Sequence, residues 1–471
     1  MNESRRVYLL NYQSLSPETI AVTFAKTSRS PETFREIAAG LTDEKSADFH
    51  EKWVVGYGHA SVAEHAVLHI AVENISRLAV EPLESSRLAS YTEKSTRYQK
   101  WDLNAFVTPP ELDGHPLKSE YKNTIKLLFK TYADSLAPTR AIIQKKFPRK
   151  EGEADEAWDR RIRARYVDAC RFLLPAASHA NVGMTANARV LESAIRKMLS
   201  HPLAEVRQIG EKIKAAAQSE VPTLVKYAES VPYLHEVEKE FTSLAKKCCA
   251  PTAPSGNGVK MLDHDPLAEN KILAATLYRF GEMSFSQALQ YIESLNVEER
   301  AEIAEKLLGK LGKFDIPLRE LEYSYYTFDL VMDQGAYYEF KRHRLMTQTP
   351  QNLSTNLGYA TPTLIKEAEF ETGYTEAMEA ATETYQKLAA FDPHLAAYLV
   401  PNGFNRRVLA TFNLRQAYHL CQLRAAKNAH FSIRRIARKI YTELEGVHPL
   451  LTKYMRFPEG ETWQEHLNLS L

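Results

Sequence analysis

Two stretches of equal length decide how this chain is organised. Residues 85–98 read SSRLASYTEKSTRY, and residues 342–355 read RHRLMTQTPQNLST. The first stretch ends in Ser-x-Arg-Tyr, whereas the second begins with Arg-His-Arg. Each stretch holds one half of a single polar pattern, so we expect the chain to contain two related copies with their polar residues divided between them.

The two halves carry different chemistry. Arg342, His343 and Arg344 place two guanidiniums and an imidazole within three residues. Guanidinium forks match phosphate oxygens bidentately, so this triplet predicts an anion site. The alternative is an idle, solvent-exposed basic triplet. The other half of the pattern supplies a hydroxyl from Ser95 and one cation from Arg97.

The stretches resemble the two ends of a signature of the flavin-dependent thymidylate synthases, Arg-His-Arg-x-x-Ser-x-Asn-Glu-x-Ser-x-Arg-Tyr. The first copy matches its back end at Ser90, Glu93, Ser95, Arg97 and Tyr98, behind Arg87, with Thr92 where Asn is usual and Ser85 and Ser86 replacing Arg-His. The resemblance implies that Arg87, Ser95 and Arg97 contact dUMP, with Glu93 in the catalytic loop, and that Arg342, His343 and Arg344 bind FAD. In the second copy, Asn352 and Ser354 replace the serine and the phosphate arginine. The alternative for the first stretch is a polar helix-to-loop segment.

The rest of the chain repeats in the same order. Residues 250–258 pack proline, glycine and small polar residues together, which is typical of a linker. We therefore expect domains at 1–249 and 259–471. Alternating, strand-like segments at 66–72 and 325–331 occupy corresponding places, each followed by its half of the signature. The predicted fold class is α+β, with two tandem domains that each combine a sheet with long helices. The charged stretch 149–156, present only in the first copy, is expected to be surface decoration.

Composition excludes several classes of protein. A chain of 471 residues exceeds the roughly 50–250 residues of a usual domain, which agrees with two domains. Sixty Lys and Arg against 59 Asp and Glu leave a net charge of +1, which argues against a nucleic-acid polymer or a membrane surface as partner. Four cysteines form neither a disulfide framework nor paired zinc-ligand spacing, so we expect no metal site and a reduced, cytoplasmic location. No run approaches the ~20 apolar residues of a membrane span.

A further motif lies in residues 58–65, which read GHASVAEH. It resembles a Gly-His-x-Ser-x-x-Glu-His stretch of the same family, and the resemblance implies that His59, Ser61 and Glu64 contact flavin. The alternative is a helix N-terminus capped by Ser61, with Glu64 completing a capping box. Both interpretations remain open from the sequence, since an exposed helix start also binds anions.

The closing segments of the two copies also correspond. By resemblance, Asn187 and Arg189 in the first copy and Asn413 and Arg415 in the second contact flavin, and Arg424 meets the pyrimidine. Residues 428–434 follow as NAHFSIR, similar to a further element of the family. Lys197 and Met198 occupy the place of Arg424 in the first copy, and lysine lacks the planar fork for bidentate recognition. Arg171 is a further basic residue of the first copy, and the resemblance implies that it contacts the substrate.

The resemblance implies an activity and an assembly. Active sites of the family lie between subunits of a homotetramer, so two fused chains are expected to form a homodimer that imitates it. The best composite site combines residues 93–97 with Asn413, Arg415 and Arg424. The implied reaction is reductive methylation of dUMP to dTMP, with FAD as cofactor and NADPH and methylenetetrahydrofolate as co-substrates. The alternative, favoured by the divided signature, is a divergent flavin- or nucleotide-binding homologue that is regulatory or modifies another pyrimidine.

Overall fold

The computed structural model describes residues 6–10, 14–97, 101–248 and 258–468. The described residues form two compact units, each drawn from separated parts of the chain. One unit takes its residues from 1–95, 104–119 and 177–251. The other takes them from 96–103, 120–176 and 252–471. We refer to them as the first and second units.

Helices make up most of both units. In chain order they are α1 (Pro17–Thr27), α2 (Phe34–Ala39), α3 (Asp43–Phe49), α4 (Arg77–Leu83), α5 (Lys118–Lys146), α6 (Asp155–Cys170), α7 (Ala188–Leu199), α8 (Ala204–Gln218), α9 (Pro222–Val225), α10 (Pro232–Cys248), α11 (Ala268–Phe280), α12 (Phe285–Ser294), α13 (Val297–Leu308), α14 (Gln334–Phe340), α15 (Thr363–Glu367), α16 (Glu371–Phe391), α17 (Pro393–Ala396), α18 (Leu414–Arg424), α19 (Phe431–Val447) and α20 (Pro449–Thr452). A π-helical turn covers His50–Gly56, and 3-10 turns include Ala60–His65, Arg171–Leu173 and Ala397–Leu399. None of the described helices is both long enough and apolar enough to cross a membrane.

The strands are β1 (Val67–Ser76), β2 (Ser90–Glu93), β3 (His179–Asn187), β4 (Val259–His264), β5 (Tyr325–Asp333), β6 (Thr347–Pro350), β7 (Thr361–Pro362), β8 (Asn405–Asn413) and β9 (Leu467–Asn468). They form a sheet of order β1-β3-β2 in the first unit. In the second unit they form a sheet of order β4-β5-β8-β6 and a small β7-β9 pair. Both predicted strand segments, at 66–72 and 325–331, are confirmed as β1 and β5.

The two larger sheets share one register. Val67 of β1 pairs with Asn187 of β3, and Tyr325 of β5 pairs with Asn413 of β8, so the two central pairs start alike. The third strand also corresponds, because β2 and β6 each begin opposite a threonine, Thr185 and Thr411. The described residues 85–97 and their counterparts 342–354 therefore occupy matching places beside matching strands. The predicted repeat and the α+β class are confirmed.

Alternation of apolar residues explains why these segments are strands. In β5, Tyr326, Phe328, Leu330 and Met332 are all fully buried, which is the period of two that puts every second side chain on one face. Helices α18 and α19 cover this face with apolar residues at helical spacing, among them Ala417, Tyr418, Leu420, Cys421, Ile433, Ile436, Ile440 and Leu444. The core of the second unit lies between this sheet face and these two helices.

An asparagine ends the central strand of each copy and begins the next helix. Asn187 accepts a hydrogen bond from the backbone N–H of Val190 (2.9 Å), and Asn413 accepts one from Gln416 (2.8 Å). Such N-caps satisfy a backbone donor that has no partner within the helix and stabilise it by about 1 kcal/mol. Both asparagines, expected to contact flavin, thus have a structural role that accounts for their retention in both copies.

The compact units do not follow the order of the sequence. Most of α5 and all of α6 come from the first copy but belong to the second unit. There the hydroxyl of Thr124 lies 2.8 Å from that of Thr384 on α16. The expected domains at 1–249 and 259–471 follow the sequence repeat, and their boundary stays a prediction, because residues 249–257 of the linker region lie outside the described residues.

Candidate functional site

The second unit holds Arg97 in a fixed position. Its Nε and Nη2 atoms donate to Oδ1 (2.8 Å) and Oδ2 (2.6 Å) of Asp168 on α6. Its Nη1 donates to the backbone carbonyl of Asn428 (3.0 Å). Only 18% of the Arg97 side chain and 8% of the Asp168 side chain are exposed. This bidentate pair joins the end of the first signature half to α6, the helix that begins at the end of the charged insertion of the same copy.

Arg171 lies in the 3-10 turn that follows α6, on the other side of Asp168. Its Nη1 donates to the Thr96 hydroxyl (3.1 Å). Its Nε is 3.8 Å from Asp168 and its Nη2 is 3.8 Å from Glu339, and neither nitrogen has a hydrogen-bond partner among the described residues. Burial lowers the pKa of Arg171, and the two carboxylates oppose that shift. Arginine nevertheless stays charged near neutral pH, so Arg171 is a buried cation between two carboxylates.

Arg424 extends the same set of contacts from the second copy. Its Nη1 pairs with Glu339 (3.1 Å), and its Nε donates to His343 Nε2 (2.9 Å). Because the arginine nitrogen only donates, His343 Nε2 must carry no proton. A neutral ring then carries its proton on Nδ1, which lies 3.2 Å from the Gln416 side-chain amide. The amide accepts this proton with its oxygen turned toward the ring, because the amide nitrogen only donates.

The structure defines the charge state of His343, which the sequence analysis left open. The side chain is buried, and burial, followed by repulsion from Arg424 and His419, lowers its pKa well below the usual value. His343 is therefore a neutral hydrogen-bond acceptor that orients Arg424. Arg342 is exposed and Arg344 is half-buried, and anion binding by these two arginines stays a prediction.

Four predicted residues from both copies thus meet in one buried network. We call it the arginine network, and it consists of Arg97, Asp168, Arg171, Glu339, Arg424 and His343. The two carboxylates of this network were not predicted. Arg415 is not part of it, because its Nη1 pairs with Glu322 (2.8 Å) and its Nε donates to the carbonyl of Pro317 (2.9 Å).

Arg97 and Asp168 also line a cavity of about 690 Å³ within the second unit, which we call the basic cavity. Cations outnumber carboxylates on its wall. The cationic side chains are Arg97, Lys146, Arg161, Arg165, Lys427 and Arg434, and the carboxylates are Asp168 and Glu367. Such an excess of positive charge in a concave site favours an anionic ligand.

The sequence analysis missed most of these cavity residues. Arg434 is the last residue of the segment 428–434, which resembles an element of the family and could have identified it as a ligand contact. The sequence analysis instead assigned the pyrimidine contact to Arg424. Arg161 and Arg165 lie one turn apart on α6, next to the insertion expected to be decoration. Arg161 pairs with Glu153 of that insertion (2.8 Å), so the insertion orients a side chain of the cavity wall.

In the first unit, the remaining residues of the first signature half lie around β2. Glu93 pairs with Arg77 (2.9 Å), and both side chains are almost fully buried. Ser95 is half-buried just beyond β2, and Arg87 is exposed in the turn before it. Tyr98 lies outside the described residues.

The first unit has a cavity of its own, of about 770 Å³, which we call the aromatic cavity. His59, Ser61 and Glu64 line it together with Phe24, Arg29, Phe49, Trp53 and His65. Glu64 is also paired with Arg189. The capping box proposed as an alternative is wrong, because Ala60–His65 is a 3-10 turn without a side-chain cap. Three residues expected to contact flavin therefore share one concave wall.

Neutral His343 predicts a pH dependence of stability. Its folded pKa is depressed, so between pH ~7.5 and ~5 the unfolded chain takes up a proton, near pKa ~6.5, that the folded chain does not. The free energy of unfolding should fall over this range by up to about 1.4 kcal/mol per pH unit for this histidine. We expect His343→Gln to reduce this slope in urea unfolding and the exposed His235→Gln to leave it unchanged. Equal slopes for His343→Gln and the wild type would show that His343 is not held neutral.

Comparison with known proteins supports the repeat. Residues 9–223 and 260–450 match the family model described as thymidylate synthase complementing protein. The UPF0159 protein of Chlamydia muridarum is 31% identical over 430 residues, which cover 88% of this chain and 81% of that protein. The flavin-dependent thymidylate synthase of Clostridium tetani is 29% identical over 227 residues, which cover 47% of this chain and 86% of that enzyme.

A solved structure gives a more distant match. Thymidylate synthase X of Helicobacter pylori, solved with FAD and dUMP, is 18% identical with a TM-score of 0.32, covering 42% of this chain and 99% of that chain. The family match rests instead on the two matched regions, which together include most of the sequence. The chain belongs to the flavin-dependent thymidylate synthase family, whose model it matches twice.

Proposed function

We propose that the chain methylates dUMP to dTMP, with FAD as cofactor and NADPH and methylenetetrahydrofolate as co-substrates. The observation that carries the proposal is the arginine network. It brings the end of the first signature half, at Arg97, together with Arg424 of the second copy. The Clostridium tetani enzyme matches only 47% of this chain, which is about one copy, so the pairing of the two surviving halves within one chain supports a retained site.

The basic cavity suits the nucleotide. A phosphate monoester carries roughly −1.5 to −2 charges at neutral pH, and the cavity wall offers an excess of cations to match it. Arg434 is 7% exposed, and its Nε is buried without a hydrogen-bond partner among the described residues. A buried donor of this kind is stabilised by an acceptor on a ligand, such as a phosphate or a pyrimidine carbonyl.

The residues of the first unit fit part of FAD. The aromatic cavity is lined by Phe24, Phe49 and Trp53, and aromatic side chains are a common surface for planar ring systems. The guanidinium carbon of Arg29 lies 5.2 Å from the Trp53 ring centre, where it suits a pyrophosphate. We expect His59 and Ser61 to donate to the cofactor from the same wall.

The other proposed cofactor ligands are Arg342 and Arg344 in the second copy, together with Asn187, Arg189, Asn413 and Arg415. When bound, FAD supplies hydride transfer between NADPH and the one-carbon unit contributed by methylenetetrahydrofolate. The protein's own task is to hold the reacting groups close together in the right orientation and to exclude water.

Within the first signature half, Ser95 supplies a hydroxyl to the pyrimidine, and Glu93 positions the loop through its buried pair with Arg77. Arg97 and Asp168 form part of the wall against which the nucleotide lies. Arg87, Arg171 and Arg424 complete the proposed substrate residues. Arg171 and Arg424 act through the carboxylates that they share with the network.

The second candidate function is nucleotide or flavin binding without thymidylate synthesis. One observation favours it, namely that Arg97 and Arg424 already have carboxylate partners within the chain. Flavin absorbance of the purified protein separates a flavoprotein from a protein that binds only nucleotides. Release of tritium from carbon 5 of labelled dUMP then separates a synthase from other flavoproteins.

We expect two chains to assemble as a homodimer with upwards of ~2,000 Å² buried, because the family's sites are shared between subunits. Light scattering of the flavin-loaded protein should give twice the chain mass of 53.6 kDa. A monomer at micromolar concentration with flavin still bound would contradict this assembly.

The reaction itself is tested with Arg97→Ala. The wild type should release tritium from labelled dUMP when supplied with FAD, NADPH and methylenetetrahydrofolate. Arg97→Ala removes a cation and leaves the Asp168 carboxylate with only the longer contact to Arg171 (3.8 Å) to balance its charge beside the nucleotide. Loss of one charge-assisted contact to the nucleotide, worth roughly 1.5–3 kcal/mol, should lower dUMP affinity by about tenfold or more.

The matched control for this variant is Arg163→Ala, which breaks an ion pair with Asp159 on the same helix but outside the cavity. It should retain both activity and dUMP affinity, and both variants should keep the wild-type flavin content. Unchanged dUMP affinity in Arg97→Ala removes Arg97 from the site. No tritium release from a flavin-loaded wild type leaves only the second candidate function.

A further inference from the structure

Most cations of the basic cavity already have carboxylate partners. The paired ones are Arg97 with Asp168, Lys146 with Glu367, Arg161 with Glu153, and Arg434 with Glu461. Arg165 and Lys427 form no ion pair with any side chain that the structure describes. The positive charge not matched by the protein in this cavity therefore comes from two residues.

The Arg165 guanidinium is held at the cavity wall by an aromatic ring rather than by an acid. Its central carbon lies 4.0 Å from the ring centre of Phe147. A cation–π contact fixes the position of a guanidinium without neutralising it and leaves its N–H donors at the ring edge available. Burial, together with repulsion from Arg161 and Arg434, lowers the pKa of Arg165, so an anion placed among these three arginines is favoured.

Arg434 adds an independent sign of a missing acceptor. Its side chain is 9% exposed, and its Nη1 lies 3.4 Å from Glu461. Its buried Nε has no hydrogen-bond partner among the described residues, and Arg434 is one of the residues that line the cavity. Leaving a buried, charged donor unsatisfied is costly, which a bound oxyanion would relieve.

The helix that supplies Arg165 is particular to the first copy. In the first copy α6 has 16 residues before the 3-10 turn Arg171–Leu173, whereas in the second copy α17 has four residues before the matching turn Ala397–Leu399. Neither signature half includes any part of α6. The charge carried by Arg165 is therefore a feature of the first copy.

We infer that Arg165 and Lys427, with Nε of Arg434, bind a phosphate monoester dianion in the basic cavity. Two unmatched cations equal the charge of such a group, whose second pKa is about 6. Because Asp168 neutralises its charge, Arg97 is then a positioning residue that fixes Asp168 and Asn428 in the cavity wall. The identity of the phosphate as that of dUMP rests on the proposed function, whereas the anion site itself rests on the cavity.

The experiment compares Arg165→Gln and Lys427→Met with the matched control Arg160→Gln. All three side chains are exposed, and Arg160 differs in lying on α6 outside the cavity lining. Calorimetry of the full chain measures the affinity for dUMP and for deoxyuridine, which lacks the phosphate. Because charge-assisted contacts are lost, each cavity variant should weaken dUMP binding by about tenfold or more. Deoxyuridine binding should stay unchanged, and Arg160→Gln should match the wild type for both ligands.

The outcomes separate this inference from the proposed function. If both cavity variants bind dUMP as tightly as the wild type does, the inference is overturned while the synthase proposal stands. An equal loss of deoxyuridine and dUMP affinity also overturns it, because that pattern reports structural damage. If the wild type binds no dUMP, the proposed function fails, and titration with inorganic phosphate decides the inference. Phosphate binding that is weakened in both variants but not in Arg160→Gln supports it, and any other phosphate result overturns it.

Discussion

The bidentate pair between Arg97 and Asp168 is the contact on which the candidate site depends. Both side chains are largely removed from water, so each needs the other to offset its desolvation. Loss of one partner of such a pair typically costs about 3–5 kcal/mol. Arg171 lies between Asp168 and Glu339, and Glu339 in turn pairs with Arg424. Arg424 then donates to the neutral His343. A site assembled from two distant halves of a signature is thus held by charges that are satisfied only together.

Duplication explains why the halves were able to diverge. The two sheets keep the same order for three corresponding strands and the same starting register. An asparagine N-cap follows the central strand in both copies, because folding requires these features twice. The polar signature is needed only where a ligand binds. The first copy retains Ser95 and Arg97, and the second copy retains Arg342 and Arg344. The long helix α6 then brings the cations Arg161 and Arg165 to the basic cavity.

The sequence predicted the repeated fold and part of the candidate site. Alternation at Tyr326, Phe328 and Leu330 is a local signal, so the strands could be predicted from it. The partner of Arg97 could not, because Asp168 lies 71 residues away and their pairing depends on how α6 packs. The neutral state of His343 depends on burial, which a basic triplet does not reveal. The insertion was expected to be decoration because its contact with the cavity wall, through the pair of Glu153 with Arg161, also depends on packing.

Calorimetric counting of dUMP sites tests most directly whether the divided signature builds one working site. The loop of the first copy retains Ser95 and Arg97, whereas Asn352 and Ser354 occupy the matching positions in the second copy. Titration of the flavin-loaded chain should therefore give one dUMP per chain. It should give none for Arg434→Ala, whose side chain lines the basic cavity. Two equivalent dUMP sites per chain, or full binding by Arg434→Ala, would contradict the account.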